Sequence, residues 1–434
     1  MKSLFHKTST FPAIILLAAA LGGCGGGGGN TSSAPSTASN SSQDSGSTSS
    51  SGSTSTTPAQ PAVPYPAFTP PLPVITSHVA KPQVIAHPIV IPVFFPGTPD
   101  QSATAGYLQS LVQSNNWGTL AQYGVTTATI GTPIVASSNP PATVTTTDID
   151  NFVGANAAAW TPSPTGSEIY VLFYPTSTTS IANNPGVGYH TVRWLNPANF
   201  NSAVEYAVIP YKSLQADAYL IYHEIAETAT DPNIQGYYWP NIDSTAWLSM
   251  YDGYMELADA CTATDFFPES DLGQAEHAIF SDANVLAGQS PCSIPSSAAN
   301  SLQMFGGFPV LTATQASQKS SLNPNAQNID HVVHIAPGAS VTIPVKLFSY
   351  GPLPAAINVQ ILQLNLASDK SNAATFTLDK STGNNGDTIN LTITAPSTAL
   401  SGSTPYITFS VLTMVRDSSG NEHYGYPFPG MVVN

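Results

Sequence analysis

The hydrophobic pattern of this 434-residue chain changes once, near Asn325, and this change limits the folds that the chain can adopt. Before it, apolar strand-like runs alternate with segments of helical periodicity. After it, short apolar runs follow one another, separated by Gly, Ser, Asn and Asp. Alternating strands and helices indicate an α/β or α+β domain, whereas closely spaced strands alone indicate an all-β domain. Two domains also agree with the length, because single cores stop growing beyond about 250–300 residues.

The first domain is assigned to residues 76–320. Its apolar runs are either short and bounded by turn residues, which predicts buried strands, or periodic at helical spacing. Strands are expected at residues 89–95, 169–174 and 206–209, and helices at residues 102–113 and from an N-cap near Thr147 and Asp148. These elements predict a sheet flanked by helices.

The second domain, residues 325–434, is predicted to be an immunoglobulin-like β-sandwich, because short alternating strands recur over about a hundred residues. Pro344 lacks an N–H donor, which predicts that its strand lies at the edge of a sheet. The predicted strands cover residues 341–349, 356–366, 374–378, 388–394 and 406–415. No catalytic cluster occurs in this sequence, so we interpret it as a spacer or accessory module.

The first 23 residues are typical of a secretory signal peptide. Lys2 and Lys7 precede a short apolar run at residues 11–21, which is too short to span a membrane as a mature helix. The following Leu-Gly-Gly-Cys sequence resembles the bacterial lipobox, in which the cysteine, here Cys24, is lipidated after cleavage. The alternative is ordinary secretion, with Cys24 as a spare thiol.

Residues 24–75 are predicted to be a flexible tether, rich in Gly, Ser and Thr and then in Pro, that holds the folded part away from the membrane. The sequence after Cys24 lacks the aspartate that retains lipoproteins at the inner membrane, so we expect the lipid anchor to lie in the outer membrane. The net charge of −15 excludes nucleic acid as an expected partner. If Cys24 carries lipid, Cys261 and Cys292 remain to form a disulfide in an oxidising compartment, or stay as two buried thiols.

One helix carries the strongest functional signal. Residues 223–227 read His-Glu-Ile-Ala-Glu in a chain in which only 8% of residues are charged. A preceding apolar stripe, spaced by three and four residues, predicts a helix that begins near Ser213 and ends at Pro232. His223 and Glu227 then share one face, away from the apolar stripe, and face either solvent or a cleft.

This helix is similar to the His-Glu-x-x-His helix of zinc hydrolases, in which two ligands and a general base share one helix. Here a glutamate replaces the second histidine. The wider pattern resembles the plant EXORDIUM / phosphate-induced protein family and its bacterial relatives over residues 85–293. The positions that carry this resemblance are His223, Glu224, Glu227, Asp231-Pro232, Glu256, Asp259, Cys261 and Cys292, with Gly188-Tyr189-His190 and the strand at residues 89–95.

The family resemblance implies an extracellular location, and the motif implies a metallopeptidase-like mixed sheet with an active-site helix. His223, Glu227 and Glu256 are the predicted metal ligands, and Glu224 is the predicted general base. Asp259 is predicted to orient the ring of His223. Zn²⁺ is the expected ion, although two carboxylates suit Ca²⁺ or Mn²⁺ as well.

Two further residues have alternative interpretations. His190 is a candidate for stabilising an oxyanion or for replacing a carboxylate as ligand, but it could also be an ordinary loop histidine. Asp231 supports the site from the helix exit, or bonds only to nearby backbone N–H groups. The aromatic run Tyr237-Tyr238-Trp239 is typical of packing and also of sugar stacking.

Three functions are consistent with these residues. The first is a lipid-anchored envelope protein with a metal-dependent, peptidase-like hydrolase domain, acting on peptide or on cell-wall material. The second is a non-catalytic binding lipoprotein that recognises polysaccharide or protein. The third is a surface adhesin or structural lipoprotein. Metal binding separates the first function from the other two.

Overall fold

The structure is a computed structural model in which the chain from Val63 to Asn434 forms one compact unit. The residues that it describes are 63–72, 74–75, 83–162, 165–178, 180–182, 188–195, 203–232, 236–237, 256–262, 272–274, 276–293, 303–311, 332–363, 373–400 and 407–433. The predicted signal peptide and Cys24 lie outside these residues. No described helix is both long and apolar enough to cross a membrane.

The predicted tether ends earlier than residue 75. Leu72 and Ile75 are buried, and Phe68 packs against the same apolar cluster. The backbone N–H of Ala67 donates to Oδ1 of Asn385 at 3.1 Å, and the side-chain amide of Asn385 donates to the carbonyl of Pro64. Residues 63–72 therefore belong to the folded part of the chain.

The first half of the folded part contains a sheet of six strands and most of the helices. The sheet strands are β1 (Ile89–Phe94), β2 (Thr129–Ile130), β3 (Ile134–Val135), β5 (Glu168–Tyr174), β7 (Tyr189–Trp194) and β8 (Ala203–Pro210), and β4 (Thr143–Thr145) pairs with β6 (Ser180–Ala182). The helices are α1 (Gln101–Leu111), α2 (Asn115–Gly118), a 3-10 helix (Thr119–Tyr123), α3 (Thr146–Trp160), α4 (Leu214–Thr230), α5 (Asp259–Thr262) and α6 (Asp282–Leu286).

The sheet is mixed, as the sequence predicts. Its order is β2-β1-β5-β8-β7, with β3 also on β1. Strands β1, β5 and β8 are parallel, and β7 runs antiparallel to β8. All seven side chains of β5 are buried, as expected for a central strand with both faces covered. Because α4 follows β8 directly, it packs beside β8 and β7.

The second half of the folded part consists of strands that form two sheets. One has the order β10-β18-β16-β12-β14, with β17 on β16, and the other has the order β13-β15-β11-β9. Buried side chains from both sheets share one apolar cluster. The strands are β9 (Phe305–Pro309), β10 (Val332–His334), β11 (Ser340–Ser349), β12 (Ile357–Gln363), β13 (Thr375–Leu378), β14 (Thr382–Gly383), β15 (Thr388–Thr394), β16 (Ile407–Arg416), β17 (Glu422–Tyr424) and β18 (Phe428–Val433).

Three details differ from the sequence predictions. Strand β11, which contains Pro344, pairs with both β15 and β9 and is not an edge strand. The carbonyl of Pro344 accepts from Val310 at 2.8 Å where β9 ends, so the missing donor falls at the end of that ladder. Strand β9 also lies before the predicted boundary at residue 325. Helix α3 begins after Thr145, whose hydroxyl accepts from Asp148 N–H in a capping box.

Candidate functional site

Helix α4 carries the predicted motif and is buried along most of its length. The Ser213 hydroxyl caps its start by accepting from Ala216 N–H at 3.2 Å, as the sequence predicts. His223, Glu224 and Glu227 are 8%, 3% and 2% exposed. These three side chains therefore do not face open solvent. Burial of two carboxyl groups and an imidazole is unfavourable unless charged or polar partners compensate, so their neighbours decide what the site can do.

Strand β7 brings His190 to the motif. Nε2 of His190 lies 3.0 Å from Oε1 and 3.1 Å from Oε2 of Glu256. Just before the strand, Gly188 lies against α4, where an added Cβ would be 2.6 Å from Oε1 of Glu224 and 2.8 Å from Cδ1 of Leu220. Only glycine allows the backbone to approach the buried helix so closely at this point.

The segment at residues 256–262 supplies the remaining carboxyl groups. Cys261 is bonded to Cys292, which confirms the predicted disulfide. The backbone N–H of Asp259 donates to Oε1 of Glu227 at 3.1 Å, and Phe280 N–H donates to the carbonyl of Leu257 at 3.0 Å. These bonds hold Glu256 and Asp259 beside α4.

The structure brings the predicted ligands together in two groups rather than one. His190, Glu227 and Glu256 form the first triad, and His223, Glu227 and Asp259 form the second. Within each triad the three potential ligand atoms lie within 4.8 Å of one another. Glu227 belongs to both triads. The predicted ligands His223 and Glu256 are therefore divided between them, and His190 joins Glu256 as a ligand candidate.

The ring of His223 is held at both nitrogens. Its Nε2 lies 2.9 Å from Oε2 of Glu227 and 3.6 Å from Oδ1 of Asp259, and its Nδ1 lies 2.6 Å from Nδ1 of His277. The sequence predicted that Asp259 orients this ring from the side away from the metal. Instead, Asp259 lies at Nε2, the same nitrogen that lies near Glu227. His277 contacts Nδ1 and takes the orienting position.

Asp231 lies at the exit of α4 and is fully buried. Its Oδ1 accepts from Gly236 N–H at 2.5 Å, which agrees with the prediction that it bonds backbone near the helix exit. Oδ2 is buried without a hydrogen-bond donor among the described residues. Burial and the carboxyl group of Glu256 raise the pKa of Asp231 to about 8. Asp231 is therefore part of the same cluster.

Crowding of buried carboxyl groups perturbs the pKa values of the site. Burial, with the charge of Glu227 adding to it, raises the pKa of Glu224 to about 8. Burial and Glu256 raise the pKa of Glu227 well above its ordinary value. Burial would also raise the pKa of Glu256, but the nearby His190 lowers it to about 2. The same pairing holds the pKa of His190 well above its ordinary value although burial opposes this.

The chemistry of the cluster follows from its charges. Five carboxyl groups (Glu224, Glu227, Asp231, Glu256 and Asp259) meet two imidazoles, and the ion pairs of Glu227 and Glu256 are made with histidines. Such a set holds either extra protons or a cation, because several negative charges cannot stay close together in a buried site uncompensated. Imidazole with carboxylates is a donor set used by Zn²⁺ and Mn²⁺.

His277 is the residue that sequence reasoning missed. It lies with Glu276 before the apolar residues 278–280, so the same signal that singled out residues 223–227 was present there. Burial and His223 keep the pKa of His277 well below 6.5, so this ring stays neutral. A metal bound at Nε2 of His223 leaves its Nδ1 protonated, and that N–H then donates to Nδ1 of His277.

Replacing His277 with alanine is expected to weaken metal binding by about 10- to 100-fold, the usual effect of removing the partner that orients a ligand histidine. The measurement is a competition titration with a metal-binding dye. His277→Asn is expected to recover most of the affinity, because its amide oxygen can accept from His223. His334→Ala, at an exposed position on β10, is the control. Unchanged affinity in His277→Ala would show that the ring of His223 needs no such partner.

No protein-family model, curated protein or solved structure matches this chain. The resemblance to the EXORDIUM family therefore stays a prediction, and the function is argued from the site alone. The predicted aromatic residues Tyr238 and Trp239 lie outside the described residues, while Tyr237 packs edge-on against Tyr123.

Proposed function

We propose that this chain is an exported, lipid-anchored envelope protein whose first domain binds a divalent cation and hydrolyses peptide-like substrates. The observation that carries the proposal is the convergence of His190, His223, Glu227, Glu256 and Asp259, from three separate parts of the chain, into triads with ligand spacing. These side chains are mostly buried, and their spacing needs only small shifts to reach metal–ligand bonds of about 2.0–2.2 Å.

In this proposal each residue of the site has a defined role. His190, His223, Glu227, Glu256 and Asp259 are the groups that would hold the cation, which polarises a substrate carbonyl and acidifies a water molecule when bound. Glu224 accepts the proton from that water, since its buried carboxyl group lies beside the ligands on α4. Because His190 is paired with Glu256, the proposal assigns His190 as a metal ligand rather than as a hydrogen-bond donor to an oxyanion.

The ligand groups also limit how strongly a bound cation would acidify a water molecule. Each triad has two carboxyl groups and one imidazole, so its ligands carry two negative charges against a divalent cation. A bound water would be acidified less than in a histidine-rich site. The same set accommodates Mn²⁺ or Ca²⁺, and the proposal is therefore of a divalent metal-dependent hydrolase, with Zn²⁺ as the first candidate.

The proposal extends to the rest of the chain. Lipidation at Cys24 would anchor the protein in the outer membrane, and the second half, predicted to be immunoglobulin-like, would be an accessory module. The resemblance to the EXORDIUM family supports an extracellular role. The sheets of the second half share one apolar core and pack against the first half through residues such as Phe308 and Phe428, which is consistent with a supporting module.

Metal analysis of the full-length chain, purified in detergent, tests the proposal. We expect at least one equivalent of divalent cation, removed by a chelator. At a hundredfold excess over Kd a cation stabilises the fold by about 2.7 kcal/mol, or roughly 3–4 °C in Tm for a chain of this size. Glu227→Ala removes the group common to both triads and is expected to abolish binding.

The metal-free form of Glu227→Ala supplies the folding control. Glu227 accepts from the backbone N–H of Asp259 and pairs with His223, so its removal should lower the metal-free Tm, and a cooperative unfolding transition of this variant would show that it still folds. A wild-type chain that binds no divalent cation, and whose Tm is the same with and without added metal, would contradict the proposal. That result would favour the non-catalytic binding lipoprotein.

A further inference from the structure

The site offers more ligand groups than one cation uses. A catalytic Zn²⁺ ion has three protein ligands and one open position. Here five residues belong to the triads, His190, His223, Glu227, Glu256 and Asp259. Asp231 adds a sixth group, since its Oδ2 is buried beside Glu256 without a hydrogen-bond donor among the described residues. Six candidate ligand groups are enough for two cations with three protein ligands each.

The geometry separates these groups into two sets. His190 is paired with Glu256 at 3.0 Å, and His223 is near Asp259 at 3.6 Å. Among the described residues no triad contains both histidines. Among the described residues only Glu227 belongs to both triads, and its Oε2 lies 2.9 Å from Nε2 of His223. A carboxylate can bridge two cations through its two oxygens.

The charges of the cluster agree with two cations. When all five carboxyl groups of the cluster are ionised and both imidazoles are neutral, the cluster carries five negative charges. One divalent cation would leave three of these charges uncompensated, whereas two divalent cations would leave one. The surrounding side chains are mostly buried, so uncompensated charge is costly. Lysine and arginine are scarce, with 10 in the whole chain, and the ion pairs that Glu227 and Glu256 make are with histidines.

We propose that the site binds two divalent cations bridged by Glu227, one held by His190 and Glu256 with Asp231 nearby, the other by His223 and Asp259. This inference rests on the proposed function, which requires only one cation. Paired cations about 3.5–4 Å apart are used by hydrolases to stabilise both the attacking and the leaving oxygen of a displacement. Glu224, which follows His223 on α4, remains the group that accepts the proton.

A titration of the metal-free, full-length chain with Mn²⁺ tests the number of cations. We expect two equivalents at saturation, and an electron paramagnetic resonance spectrum of an exchange-coupled pair, because a bridging carboxylate couples the two ions. His190→Ala and His223→Ala are each expected to retain one equivalent, with the resolved hyperfine spectrum of an isolated ion. Glu256→Gln and Asp259→Asn repeat the test with smaller changes, one in each set, if an alanine variant does not fold.

The outcomes separate this inference from the proposed function. One equivalent in the unmodified chain, lost in either histidine variant, would overturn the paired site and leave the single-cation hydrolase standing. Two equivalents with an uncoupled spectrum would overturn the bridging role of Glu227. No bound cation would overturn both proposals. Glu422→Gln, at an exposed position on β17 in the second half, is the control and should bind as the unmodified chain does.

Discussion

Replacing Glu224 with glutamine is expected to lower the rate of peptide hydrolysis by about 100- to 10,000-fold, the usual contribution of a general base. The physical reason is that the amide cannot accept the proton, whereas its size and burial match those of the carboxyl group. Glu224 is not a member of either triad, so the metal content should stay unchanged. The measurement is kcat/KM on a peptide library, with metal analysis of the same samples.

Glu168→Gln is the matched control for this prediction. Glu168 is also buried, but its carboxyl group accepts from the backbone N–H groups of Thr165 and Gly166, away from the triads. This variant should keep its kcat/KM even if it is less stable. Undiminished hydrolysis by Glu224→Gln, with metal content equal to that of the unmodified chain, would show that another group removes the proton.

Between pH 6.5 and 8 the metal-free chain is expected to lose stability as the pH rises. Burial raises the pKa of Glu224 and of Asp231 to about 8, so the folded state keeps protons that the unfolded state has already released. Stability then falls by about 1.4 kcal/mol per pH unit for each proton retained. His190, with its pKa raised by Glu256, acts in the same direction. Below pH 6.5 His277 opposes the trend, because its folded pKa is lowered by burial.

Thermal unfolding across this pH range, with and without saturating divalent cation, provides the measurement. A bound cation replaces the retained protons, so we expect the gain in Tm on metal addition to be larger at pH 8 than at pH 6.5. Glu224→Gln should flatten the curve of the metal-free chain, since it removes one of the retained protons. A metal-free Tm that is constant or rises from pH 6.5 to 8 would contradict the assignment of these raised pKa values.

The central strands and the motif helix near the site could be predicted from local sequence, whereas β7, the strand that carries His190, was not predicted. Strand β1 and helix α4 were placed to within about a residue, because a buried strand needs a short apolar run and an amphipathic helix needs apolar residues at helical spacing. The N-cap of α3 was misplaced because Thr145, Thr147 and Asp148 all have capping side chains. Local chemistry alone does not decide which of them begins the helix.

The position of β11 could not be predicted from its proline. A proline interrupts a ladder only where its missing N–H should donate, and here that point falls at the end of β9. Strand β9 is separated from β11 by more than 30 residues, so its length and register depend on distant pairing. The same limit applies to the tether, where Ile75 becomes buried only because the folded part supplies a surface for it.

The sequence by itself determined that α4 carries His223, Glu224 and Glu227, because helical spacing is a local property, and the number of cysteines predicted the Cys261–Cys292 disulfide that the structure contains. Only the tertiary structure decided that His190 joins Glu256, that Asp259 lies near Nε2 of His223, and that His277 contacts Nδ1 of the same ring. These contacts join residues 36 to 66 positions apart. No spacing rule encodes such distances, since they arise from how β7 and the disulfide-bonded segment pack against one buried helix.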